Sequence, residues 1–195
     1  PSPHMTKQRR LDNWVYTLTD YITAMLSWAC FFLYRKRVEN VEWNWEAIQD
    51  DKFWFGVLII PIGWILLYSI FDEYRDIYRK SRLATLARTF FLTFLGVFFL
   101  FFTLILDDFV IGYQSYYSSF TILFLLHFLF TSTVRMILLT RASRRIKAGI
   151  VTFNTLLIGG NANAVDLYNE ITNREKGLGY HFIGFIDTNG RSTNE

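Results

Sequence analysis

Apolar residues in this chain run in long blocks rather than recurring at an amphipathic spacing, and four blocks reach bilayer length: residues 14–34, 53–71, 84–106 and 116–139. A hydrocarbon core about 30 Å thick needs roughly 20 mostly apolar residues in helix. The pattern therefore predicts four membrane-spanning helices. The third block is the most apolar, because FFLTFLGVFFLFFTLIL at residues 90–106 carries no charge. The second contains Pro61 and Gly63, which predicts a kink near Pro61 of the kind that neighbouring helices accommodate in lipid.

After a basic connector at residues 141–152, containing RASRRIK, the pattern changes to that of an α/β unit. Residues 153–158 read as a strand, 159–164 as a tight turn, 164–174 as a helix and 180–186 as a second strand. Asp187-Thr188-Asn189-Gly190 follows as a turn signal. Two parallel strands and one helix leave sheet faces uncovered, so the chain is expected to end inside a domain. The predicted fold class is an α-helical integral membrane bundle of four transmembrane helices, followed by the first βαβ unit of a truncated Rossmann-like α/β domain.

Lys and Arg at the block ends set the orientation. Lys7, Arg9, Arg10, Arg75, Arg79, Lys80, Arg82, Arg141, Arg144, Arg145 and Lys147 fall on one side, against Arg35, Lys36, Arg37 and Lys52 on the other. Positive residues mark the cytoplasmic face, which places both termini in the cytoplasm. Arg35-Lys36-Arg37 runs against this rule, although Glu39, Glu42, Glu46, Asp50 and Asp51 share its loop. Trp43, Trp45, Tyr113, Tyr116 and Tyr117 suit the interfacial belt. Segment 71–82, FDEYRDIYRKSR, is expected as a helix extension lying at the headgroups.

Composition agrees with lipid as the solvent: 52% of residues are hydrophobic, 20 are Phe and mean hydropathy is positive. The net charge of +3 and pI near 9.0 reside in short clusters at block ends, which points to anionic headgroups and away from nucleic acid. Cys30 has no partner cysteine and is expected as a small buried hydrophobe. The opening PSPHM resembles a protease-site and cloning remnant, so residues 1–5 are set aside and the native chain is expected to begin at Met5. The first block is too long for a signal-peptide core and reads as a retained anchor.

Gly159, Gly160 and Asn161 occupy the place of a dinucleotide-binding loop, between a strand and a helix N-terminus. Against G-x-G-x-x-G only Gly159 matches, with Asn161 and Ala164 replacing the second and third glycines. A nucleotide loop and a plain βαβ turn both remain open. Asp187, ending the second strand, suits a ribose hydroxyl or the following turn. Within the spans, Asp20 and Arg135 are charges expensive enough to need a partner or a role. Snorkelling or an ion pair between spans is one reading, a lipid phosphate the other, and Arg88 is similar. His127 is expected to hydrogen-bond within the bundle rather than relay protons. Gly56, Gly63 and Gly96 are expected to admit close helix packing, favouring a homo-oligomer. No catalytic constellation and no metal-ligand spacing is visible.

The order of LDNWVYTLTDYITAMLSW, YRDIYRKSRLATLAR, RMILLTRASRRIKAG and FNTLLIGGNANAVDLYNEI…GYHFIGFID resembles the bacterial polyprenyl-phosphate sugar phosphotransferases of the large, membrane-spanning type, from about Lys7 to Asp187. YRKRVEN and LDDFV are most similar to members from Bacteroidetes. The resemblance implies a parent enzyme of exopolysaccharide or O-antigen synthesis that transfers sugar 1-phosphate from a UDP-sugar to undecaprenyl phosphate. Its Asp-Glu pair and magnesium ion would lie in a catalytic domain further C-terminal, so no cofactor and no catalytic residue is carried over to this chain. Membrane-bound nucleotide-sugar dehydratases or epimerases resemble it over the same front end. A non-enzymatic membrane scaffold is the third reading.

Overall fold

A computed structural model describes residues 3–38, 51–75, 77–105, 113–159, 162–174 and 178–186. They form five helices and one two-stranded sheet: α1 Pro3–Val38, α2 Asp51–Ile70, α3 Arg82–Leu100, α4 Tyr113–Lys147, β1 Phe153–Ile158, α5 Ala162–Thr172 and β2 Tyr180–Ile186. Two compact units contain them, residues 10–139 and residues 140–195 with the first nine.

Three helical segments of the chain are long and apolar enough to cross a membrane: Asp51–Ile70, Arg82–Thr103 and Tyr116–Lys147. α1 is 36 residues long but does not join them. Asp20, Thr23 and Ser27 form a buried polar stripe along it, which lowers the mean apolarity that the flanking Leu and Phe supply. Thr23 and Ser27 return their hydroxyls to the Asp20 and Thr23 carbonyls at 3.0 and 2.7 Å, which satisfies both groups without water.

Inside residues 10–139 the core gathers Ala24, Phe31, Ile60, Trp64, Tyr68, Leu92, Val97 and Leu123. Helices in lipid associate through close packing rather than apolar burial, and two glycines provide it here. A Cβ on Gly56 would land in the Trp28 indole, and one on Gly96 in the Trp64 ring. Gly63 differs from these two: among the described residues nothing lies within 4 Å of its Cβ position. α3 and α4 meet through edge-to-face phenylalanines, Phe90 with Phe124 at 5.2 Å and Phe94 with Phe120 at 5.9 Å. Leu58, Ile62, Phe91 and Phe99 are left exposed, an apolar exterior suited to lipid. Cys30 is also exposed, contrary to expectation, because the packed stripe of α1 runs through Ala24, Ser27 and Phe31.

α2 continues through Pro61 and ends on an αL cap. Asp72 has φ 55°, its amide bonds Ser69 O at 3.1 Å, and the Glu73 amide bonds Tyr68 O at 2.9 Å. These two bonds make a Schellman motif with Asp in the position glycine usually takes. The chain therefore turns back at Glu73, and the helix extension expected over 71–82 is replaced by a turn and a 3-10 turn at Ile77–Arg79. Glu73 and Ile77 are consequently buried.

The basic stretch expected as a connector is helical, since α4 runs to Lys147. Its last turn places Arg144, Arg145 and Lys147 at the negative end of the helix dipole. A second Schellman motif ends it, with Gly149 at φ 71° and bonds from Gly149 and Ile150 to Ile146 O and Arg145 O. β1 then pairs in parallel with β2, from Phe153 opposite Tyr180 to Ile158 opposite Ile186, with an irregularity at Thr155/Leu156. α5 starts two residues before its expected position and sets Tyr168 against Phe182 at 5.1 Å. Leu156, Ile158 and Ile183 remain exposed.

Candidate functional site

The strongest chemistry in the described residues lies at a buried charge cluster inside residues 10–139. α1 contributes Asp20, α3 contributes Thr89 and α4 contributes Arg135. Arg135 donates from Nε to Asp20 Oδ1 at 3.2 Å and from Nη2 to Asp20 Oδ2 at 2.7 Å. Nη1 donates to Thr89 Oγ1 at 2.8 Å. Its guanidinium sits 4.2 Å from the Tyr68 ring centroid, adding a cation–π contact in a desolvated site. Arg135 is 0% and Asp20 1% exposed, so the two pair across helices and neither snorkels to water.

The Schellman cap brings a second carboxylate into the same cluster. Glu73, fully buried, accepts a hydrogen bond from Lys80 Nζ on Oε2 at 2.6 Å, and Arg88 Nε makes an ion pair with Oε1 at 2.8 Å. Lys80 also donates to the Glu73 carbonyl, and Arg88 Nη2 donates to Phe71 O at 2.6 Å. Arg135 Nη1 stands 3.7 Å from Glu73 Oε2, which joins the two ion pairs into one network. Lys80, Arg88 and Arg135 thus face Asp20 and Glu73, leaving one positive charge in excess. Arg88 is the member that reaches outward, with its side chain 52% exposed.

Burial acts on the titrating groups of the turn. It pushes the Lys80 ammonium below its ordinary value, with Glu73 opposing. It pushes the Tyr74 phenol upward, and the Asp20 charge adds to that effect. Both directions keep charge out of an apolar setting except where a partner compensates it.

His127, fully buried on α4, joins Tyr68 OH through Nε2 at 2.9 Å and stacks on Trp64 with centroids 3.7 Å apart. Thr131 Oγ1 is 3.4 Å from the same nitrogen and 3.4 Å from Thr23 Oγ1. This polar thread ties α1, α2 and α4 together beside the ion network.

The glycine turn is separate, in residues 140–195. Gly159 has φ 145°, a conformation that favours glycine, and its amide bonds Ile186 O at 2.9 Å. That amide is committed to the sheet rather than to a phosphate. Gly160, Asn161 and Asp187 lie outside the described residues, as do Trp43 and Trp45.

Sequence reasoning singled out Asp20, Arg88, His127 and Arg135 but missed Glu73, Lys80, Thr89 and Tyr68. Glu73 was hidden within a charged segment, and only the left-handed turn at Asp72 directs it inward. Among the described residues no three His, Cys, Asp or Glu side chains gather as a metal site. The network staples α1, α3 and α4 to the turn after α2 with three cations against two carboxylates. No protein-family model, no curated protein and no solved structure matches this chain.

Proposed function

We propose that this chain is the N-terminal membrane anchor and the opening of the cytoplasmic α/β domain of an initiating sugar-1-phosphate transferase. The parent enzyme would move phospho-sugar from a UDP-sugar to undecaprenyl phosphate: the acceptor phosphate oxygen attacks the sugar-bearing phosphorus, and UMP leaves. The observation that supports this reading best is the passage from the apolar helices to a parallel βαβ unit through α4, whose basic last turn and Gly149 cap lead directly into β1. The resemblance in motif order supplies the reaction class.

α1 is the fourth span in this reading. Its buried polar stripe faces the other helices, while Trp14, Leu18, Ile22 and Leu26 are exposed and suit lipid. Both termini are cytoplasmic, in keeping with the Lys and Arg bias at the span ends. The βαβ unit also suits a membrane-bound nucleotide-sugar dehydratase. A non-enzymatic scaffold is favoured by one feature, the burial of the charge network between helices.

An assay on the product of the parent gene tests the proposal. Membranes containing that product are expected to release UMP from a UDP-sugar only when undecaprenyl phosphate is present, whereas residues 1–195 release none. UMP release by the 195-residue chain, or dehydration of the nucleotide sugar by the parent, overturns it.

A further inference from the structure

A guanidinium presents five N–H donors in a fixed fork, and three of those on Arg135 have acceptors: Nε and Nη2 on Asp20, Nη1 on Thr89. One N–H on each Nη remains. Arg135 is fully buried, and a buried donor on a charged group is destabilising when it has no acceptor. The carboxylate facing Nη1 is Glu73, whose Oε2 stands at 3.7 Å, an ion-pair distance too long for a hydrogen bond.

Tyr16 of α1 borders the same point. It is buried, and its hydroxyl has no hydrogen-bond partner among the described residues. The Arg135 guanidinium lies 5.5 Å and the Lys80 ammonium 5.8 Å from its ring centroid, and its hydroxyl feels the charges of Arg135, Asp20 and Glu73. The Tyr74 ring meets the Tyr16 ring edge-on at 6.2 Å, so aromatic side chains wall this part of the network.

We propose that the network holds a structural water at this point, accepting from Arg135 Nη1, donating to Glu73 Oε2 and hydrogen-bonded to the Tyr16 hydroxyl. A polar contact beyond about 3.5 Å is where a bridging water belongs, and a buried water makes about three hydrogen bonds to groups that otherwise lack them. With bonds of about 2.8 Å to both atoms, it sits beside the line from Nη1 to Oε2 rather than on it, which leaves a direction for Tyr16. The mixed lining selects water over an anion: Arg135 and Tyr16 donate, but the Glu73 carboxylate only accepts and would repel chloride. Through this water the Asp20–Arg135 pair is hydrogen-bonded to Glu73, and so to Lys80.

Equilibrium unfolding of the full 195-residue chain in detergent, with sodium chloride or sodium gluconate at equal ionic strength, tests this together with a crystal structure of the same chain. Y16F removes one hydrogen bond of the water and is expected to lower the folding equilibrium constant about fivefold, equally in both salts. The crystal structure is expected to show a water within hydrogen-bond distance of Arg135 Nη1, Glu73 Oε2 and the Tyr16 hydroxyl. A Y16F chain as stable as wild type or more so overturns the proposal, because the hydroxyl then had no partner to lose. Stabilisation by chloride that Y16F abolishes also overturns it, since an anion would then occupy the site. So does a crystal structure in which the Tyr16 hydroxyl bonds a protein group directly and no water joins Arg135 to Glu73.

Discussion

Arg135 on α4 and Asp20 on α1 meet in a two-point ion pair, with Nη2–Oδ2 at 2.7 Å and Nε–Oδ1 at 3.2 Å, buried from solvent on both sides. The pair joins the first and last long helices of the unit, 115 positions apart. Removing one partner leaves the other charge buried, a cost of about 3–5 kcal/mol. D20N and R135M are each expected to destabilise residues 10–139 by that order, and D20N/R135M by much less than the sum. A double-mutant cycle from unfolding in detergent checks this, and additive single effects would contradict it.

Lys80 provides a pH signature. Burial lowers its proton affinity in the folded chain below the ordinary 10.5, so just below that pH the unfolded chain holds more protons than the folded one. Unfolding free energy must then rise with pH over that interval through this group. Tyr74, shifted upward, contributes the opposite sign above pH 10. K80M isolates the lysine: the stability difference between wild type and K80M is expected to grow in favour of wild type as pH approaches 10.5. A flat difference over pH 8–10.5 would count against the assignment.

Two glycines of similar appearance in sequence differ in space. G96A sends its methyl into the Trp64 ring, an overpacking cost of about 1–3 kcal/mol. G63A meets nothing within 4 Å and gains up to about 1 kcal/mol of helix propensity. Thermal unfolding of the two variants in one detergent separates them, with opposite signs expected.

Much of this architecture was legible in the block pattern. α2, α3 and α4 fell where three of the four apolar blocks require helices, and the strand–helix–strand order followed from the change of period after Lys147. The ion network was only half legible. Asp20 and Arg135 stand out because charge within an apolar block is rare. Glu73 does not, because a carboxylate among Asp72, Arg75 and Lys80 looks solvated, and its burial depends on one residue adopting φ 55°. The helical extension of α4 was missed for a similar reason, since basic residues read as a connector although they stabilise a helix C-terminus.

That residue yields its own prediction. D72G is expected to be neutral or to stabilise by up to about 1 kcal/mol, since glycine adopts the αL cap freely. D72V is expected to destabilise by about 1–2 kcal/mol and to loosen the Glu73–Lys80 and Glu73–Arg88 pairs. Equal stability of D72G and D72V in chemical denaturation would contradict this.

The membrane-anchor account rests most directly on α1 as a fourth span. Single cysteines at Thr6, Asn40 and Ala148, introduced into a Cys30→Ser background, can be probed with a membrane-impermeant maleimide on intact bacterial spheroplasts and again after permeabilisation. The account predicts labelling at position 40 from outside, with positions 6 and 148 labelled only after permeabilisation. Labelling of position 6 from outside alongside position 40 would mean three spans, and would contradict it.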